Sequence, residues 1–166
     1  MVEPARLRDA LPTLALHRRV LGEGRWFLTH ESEFATTVEE RELQIKAPMA
    51  SDEQIFLVAR AQGHRVAGFL FVTTGPLRRM RGTGRVQLMV DHRLRSRGLG
   101  KALMSACVEW AEASPLHKLG LSVFADNDRA IKLYERFGFS IEARREREYV
   151  EDDGSFRDDL LMCRFL

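Results

Sequence analysis

The apolar run VQLMV at residues 86–90 is followed by DHRL and then by RSRGLGK at 95–101. From there apolar side chains recur at Leu99, Leu103, Ala106, Cys107 and Trp110. The first segment reads as a strand, and the second carries the 3.6-residue spacing of one helix face. A further apolar run at 119–125 completes a strand–helix–strand unit. Such a unit needs a crossover connection, so it commits the chain to a sheet with at least one parallel pair and a helix packed over it.

The remaining segments fill in that sheet. Residues 9–21 read as a helix with Asp9 placed to cap it, ended by Gly22-Glu23-Gly24. Residues 25–35 (RWFLTHESEFA) read as a loop with aromatic anchors. Thr37-Val38-Glu39-Glu40 is a capping box opening a second helix that runs toward Lys46 and stops at Pro48. Residues 54–61 and 66–73 are β-type runs, joined as a hairpin by Gln62-Gly63-His64. Residues 75–84 form a basic exposed loop before the strand at 85–91. Asp126 or Asn127 caps a helix that ends at Phe137, with Gly138 as its C′ residue. Two closing strands, near 139–149 and 156–166, flank an Asp153-Gly154 turn. Antiparallel strands followed by βαβ-type crossovers predict one α/β domain spanning 1–166, with a mixed, mostly antiparallel central sheet flanked by helices.

Composition excludes several classes. The chain has 166 residues, 45% apolar and 30% charged, which suits one folded domain with a full core. A net charge of +2 is too mild to imply a nucleic-acid binder by itself. Residues 78–97 are basic but contain no Phe, Tyr or Trp on which bases could stack. No apolar run approaches the length of a membrane span, and residues 1–9 lack the apolar core of a signal peptide. Cys107 and Cys163 sit in apolar stretches outside any CxxC spacing, as expected of buried free thiols in a reducing cytoplasm. No HExxH or paired-His spacing suggests a metal, and Ser105 lacks the G-x-S-x-G context of a nucleophile.

The turn at 95–101 has a physical use. The first N–H groups of a helix have no intrahelical partner, and the helix dipole makes that end positive. Gly98 and Gly100 let a ligand approach the backbone, and Arg95, Arg97 and Lys101 add charge. In physical terms this is a phosphate cradle, or else a glycine-tolerant connection with solvated arginines; it lacks the GxxxxGK[ST] spacing of a P-loop and the GxGxxG of a dinucleotide fold.

A second stretch, LSVFADNDRAIKLYERFGF at 121–139, narrows the reading. With RSRGLGK behind its strand, the chain resembles the GNAT superfamily of acyl-CoA N-acetyltransferases, most closely its small bacterial members that act on amino acids and small molecules. Arg95, Gly98 and Gly100 match the family's first motif. Asn127, Ala130, Tyr134, Gly138 and Phe139 match its second. The resemblance implies acetyl-CoA as co-substrate, held by Arg95, Ser96, Arg97, Gly98, Leu99, Gly100 and Lys101 at the pyrophosphate. Leu88, Met89 and Val90 would pair with the pantetheine arm, and Asn127, Ala130 and Tyr134 would line it. It implies a small-molecule amine as acceptor, coenzyme A as product, and no metal, nucleic-acid or membrane partner. Edge strands at both ends of such sheets often pair, which leaves a homodimer open.

The implied reaction is direct attack of an amine on the thioester. A lysine-like amine with a pKa near 10.4 is less than about one part in a thousand neutral at pH 7, so it must lose a proton. Tyr134 is the expected proton donor to the departing thiolate. No acid stands in residues 82–85, where some family members carry a glutamate. Glu33 is favoured over Glu31 as the amine-facing acid, with Asp91 or a water relay as other routes. Acetylation of a peptide N-terminus or a lysine side chain, and a non-catalytic acyl-CoA binding module, are the alternatives. Glu31 and Glu33 favour a cationic acceptor, while Trp26, Phe27 and Phe34 favour an apolar one.

Overall fold

The structure is a computed structural model describing residues 1–61 and 65–166. The hairpin turn expected at Gln62-Gly63-His64 lies outside the described residues. Seven strands form one sheet: β1 (Val2–Pro4), β2 (Ile55–Arg60), β3 (Val66–Thr74), β4 (Thr83–Val90), β5 (Lys118–Phe124), β6 (Ser140–Val150) and β7 (Phe156–Phe165). Their order across the sheet is β1-β2-β3-β4-β5-β7-β6. Among the described residues only β4 and β5 run parallel, joined through helix α3 (Leu99–Glu112) as the sequence requires. Helices α1 (Ala10–Leu21) and α2 (Val38–Lys46) pack on one face, and α3 with α4 (Asp128–Arg136) on the other.

Period-2 alternation sorts the strands between two cores. Leu70 and Val72 of β3 join Leu103, Met104, Cys107 and Ala111 of α3 in one cluster. Phe69 and Phe71 point the other way, to Leu16 and Val20 of α1 and Ile45 of α2. Burying each such side chain contributes about 1.5–3 kcal/mol, which is what clamps the helices to both faces. Cys107 and Cys163 are free and buried, and burial pushes the Cys107 thiol up to about 12.

Two local readings change. Three-residue β1 is too short to show any periodicity, yet it pairs with residues 57–59 of β2. Asp9 precedes α1 but makes no cap bond with it. Its buried carboxylate accepts from Arg60 Nη2 at 2.9 Å and from the Arg6 N–H at 2.9 Å, so it ties the N-terminal segment to β2 instead. Thr37 does cap α2, with its hydroxyl accepting from Glu40 N–H and Glu40 accepting from Thr37 N–H.

Candidate functional site

The parallel pair carries the site because it does not stay paired. β4 and β5 are in register only from Thr83↔Lys118 to Arg85↔Gly120, then diverge while both strands continue. On its other edge β4 stays bonded to β3 up to Gly68↔Val90. Asp91 N–H donates to Ala67 O at 2.9 Å, which fixes the phase of that ladder. Alternation then turns the N–H and C=O of Leu88 and Val90 into the gap, and those of Gln87 and Met89 toward β3. Of the residues 88–90 expected to meet an extended ligand, Leu88 and Val90 therefore offer backbone groups and Met89 offers its side chain.

Above the gap sits the glycine turn. Ser96 and Gly98 have φ of 62° and 81°, a left-handed conformation that carries the chain from β4 into α3. The first helical bond is Ala102 N–H to Gly98 O, leaving the N–H groups of Leu99, Gly100 and Lys101 without an intrahelical acceptor. A Cβ on Gly98 would meet nothing within 4 Å, so the space beside it is open. Gly100 does a different job: a Cβ there would come within 3.3 Å of Leu133, so this glycine seats α3 against α4.

The basic side chains separate into two groups. Arg95 is held by a bidentate ion pair with Glu23 and by Val90 O at 3.3 Å, so it braces the turn. Arg97 is exposed and stands outside the groove wall. Lys101 and Arg129 line the groove, and neither has an ion pair among the described residues. Arg129, on α4, was not singled out from the sequence. Burial and then the neighbouring Arg95 lower its pKa, while Glu23 acts the other way.

Opposite the β4 edge, Asn127 caps α4 by accepting from Ala130 N–H at 3.3 Å, which leaves its amide NH2 to donate. Two helical turns on, Tyr134 is 9% exposed, packs 6.0 Å from Phe139, and reaches the groove wall. Its hydroxyl has no bond to another described residue. Burial raises its pKa to about 12, so it is a donor at any physiological pH.

The groove continues across the α1–α2 face of the sheet and encloses about 1650 Å³, more than the roughly 300–1,000 Å³ of a typical small-molecule pocket. Glu33 lines it, with Oε2 accepting from His30 N–H at 2.9 Å and so closing its own turn. Glu31 is absent from the groove wall. Asp91 is poorly suited to take a proton: hydrogen bonds from Arg93 and from Arg19 hold its carboxyl far below the usual range. A carboxylate the sequence reading passed over is better placed. Asp159 of β7 is buried against the groove, accepts from Ser122 Oγ at 2.6 Å, and pairs with Arg145. His17 and Arg41 line the groove's other end. Among the described residues no cluster of His, Cys, Asp or Glu could hold a metal ion, and no helix is long and apolar enough to cross a membrane.

Residues 24–139 match the family model described as acetyltransferase (GNAT) family. The chain belongs to this family. It superposes on the acetyltransferase of the GNAT family from Streptococcus pneumoniae with a TM-score of 0.93, at 31% identity over 100% of this chain and 99% of that one. It is 35% identical over 78 residues to the L-amino acid N-acetyltransferase AaaT of Escherichia coli K12, covering 46% of this chain and 48% of the relative. It is 42% identical over 60 residues to the spermine/spermidine N(1)-acetyltransferase of Bacillus subtilis 168, covering 34% and 40%. The chain thus spans less than half the length of these curated relatives.

Proposed function

We propose that this GNAT chain is an acetyl-CoA-dependent N-acetyltransferase acting by direct attack of a primary amine, carried by an amino acid or another small molecule. The observation that carries this reading is the split between β4 and β5, opening directly beneath the unpaired N–H groups of Leu99, Gly100 and Lys101. An extended pantetheine arm fits the exposed edge of Leu88 and Val90 as an added strand. The pyrophosphate takes the helix N-terminus, with Lys101 and Arg129 beside it. Asn127 donates to the pantetheine amide from the α4 side.

In the reaction the amine nitrogen bonds to the thioester carbonyl carbon, and the C–S bond breaks. A Leu88 or Val90 N–H donates to the oxygen as negative charge develops there. Tyr134 donates to the departing sulfur. Its pKa of about 12 lies well above the roughly 8.5 of a free thiol. Burial disfavours the charged form of both groups, so the phenol enters the transition state protonated and donates to the sulfur as the C–S bond breaks. The proton lost by the amine leaves through the groove, past Ser122, Asp159 and Glu33.

These acids differ in exposure, so they differ in expected effect. Asp159→Asn is expected to raise the acceptor KM about tenfold, the worth of one hydrogen bond supported by a charge. Glu33→Gln keeps the turn-closing acceptor and alters a charge largely in water, so its effect on acceptor KM should be about threefold or less. Steady-state kinetics with acetyl-CoA held saturating measures both. Equal KM values in the two variants would contradict this ranking. The function itself is tested by following thiol release from acetyl-CoA against amino acids, polyamines, peptides and aminoglycosides. Release with none of them above the buffer rate would refute it.

A further inference from the structure

Arg41 is the largest side chain sealed in the interior, 1% exposed, yet no described residue neutralises it. Its Nη2 donates to His17 Nδ1 at 2.8 Å, and its Nε and Nη1 have no hydrogen-bond partner among the described residues. The guanidinium lies over the rings of Phe69 and Phe56, 5.2 and 5.7 Å from their centroids. Ring faces soften the loss of water around a cation but do not accept its N–H groups. The nearby carboxylates are committed elsewhere. Glu33 takes the His30 N–H, Glu40 takes the Thr37 N–H, and Glu42 pairs with Lys46. An unpaired buried charge with two idle donors is costly to fold around, and such groups are normally satisfied by a partner.

The two idle nitrogens are themselves sealed, so a counter-ion arriving by the groove, whose wall includes both Arg41 and His17, meets the charge rather than those N–H groups. Arginine only donates, so the contact at 2.8 Å makes His17 Nδ1 the acceptor and puts the ring proton on Nε2. Burial and then the adjacent Arg41 push the His17 pKa down to about 4, so the ring is neutral and its Nε2–H is fixed as a donor at neutral pH. Phe34 of the 25–35 loop packs on the ring, with centroids 4.2 Å apart, and holds it in place. Phe69 sits opposite Met89 in the β3–β4 register, one strand from the gap where the thioester would lie. A donor and an unneutralised positive charge thus stand beside the acceptor's path.

We propose that His17 and Arg41 form an anion subsite for the acceptor, and that the acceptor is an amine that also bears a carboxylate. This rests on the acetyltransferase reading above. The carboxylate takes His17 Nε2–H directly and places its charge against the guanidinium, which the protein leaves without a counter-ion of its own. A polyamine, cationic along its length, meets repulsion at the same place.

The experiment compares each L-amino acid with its carboxamide, and with spermidine, by thiol release from acetyl-CoA. The wild type should prefer the best amino acid over its amide by about 100-fold in kcat/KM, and should use spermidine poorly. Arg41→Met should reduce that ratio to within a few-fold of one, while Arg41→Lys, which keeps the charge, should retain part of it. His17→Leu should reduce it about tenfold and keeps Arg41 and its charge in place, though without their histidine acceptor, so it carries the test if Arg41→Met does not fold. Acetyl-CoA affinity by calorimetry should be unchanged in each folded variant. Amides or spermidine used as well as amino acids, or a ratio that survives in folded variants, would overturn the anion subsite and leave the acetyltransferase reading standing. Calorimetry with N-acetyl-L-amino acids and their amides needs no turnover. Carboxylate-dependent binding lost in His17→Leu supports the subsite even if no amine releases thiol, and equal binding of acid and amide overturns it.

Discussion

Tyr134→Phe should lower kcat by about 100-fold and leave the acetyl-CoA dissociation constant within about twofold. The ring packs on Phe139 in the α3–α4 core, and phenylalanine preserves that packing. What disappears is one hydroxyl with no partner among the described residues. Its use begins only when the sulfur acquires charge, and an interaction made only in the transition state is read in kcat. General-acid help spans about 100- to 10,000-fold, and the low end is expected of a donor that burial makes weakly acidic. The same value fixes the pH behaviour. The folded pKa is raised above the ordinary 10, so the stability that burial of the neutral phenol confers is fully present below about pH 10 and is lost as pH rises through about 12. No basic limb from Tyr134 should therefore appear in the kcat profile below about pH 10. A folded Tyr134→Phe enzyme with kcat within threefold of wild type would make this tyrosine a core residue and nothing more.

What the sequence disclosed and what it withheld divide along a physical line. The strand–turn–helix at 86–112 and the strand–cap–helix at 119–137 are local objects, defined by periodicity, by glycines at left-handed positions and by a capping Asn. They were legible because each residue's task concerns neighbours a few positions away. Arg41 and His17 were not, because they are 24 residues apart and meet only when α1 and α2 fold onto the same strand. Arg41 sits in VEERELQIK, where its neighbours give it every appearance of a solvated face. Asp9 misled for a similar reason: Asp before a helix reads as a cap, while Arg60, 51 residues on, claimed it first. Asp159 could have been found. On β7 it alternates with Leu161 and Cys163, so its neighbour Asp158 faces the other way, and only Asp159 is sealed against the sheet's α1–α2 side. Arg95 was assigned to the cradle by its motif, and the structure shows its guanidinium bracing the turn against Glu23.

Gly98→Val should weaken acetyl-CoA binding by about 100-fold or more while the protein still folds. Gly98 has φ of 81°, where a Cβ is strained, and the cost to an L-residue there is roughly 1–2 kcal/mol. A domain with about 5–15 kcal/mol of stability survives that loss. The built Cβ touches no protein atom within 4 Å, so the branched side chain would project into the open space beside the first turn of α3. That is where a pyrophosphate would meet the N–H groups of Leu99, Gly100 and Lys101. Losing one or two bonds to a charged group, at about 1.5–3 kcal/mol each, accounts for a hundredfold change. Strain and obstruction can be told apart because the fold supplies a matched glycine. Gly154, in the β6–β7 turn, has φ of 80° and likewise no atom within 4 Å of a built Cβ. Gly154→Val should lower the unfolding midpoint about as much as Gly98→Val and leave acetyl-CoA affinity alone. Calorimetric titration of both variants decides the matter: if Gly98→Val, folded, binds acetyl-CoA as Gly154→Val does, the helix start at residue 99 does not hold the pyrophosphate.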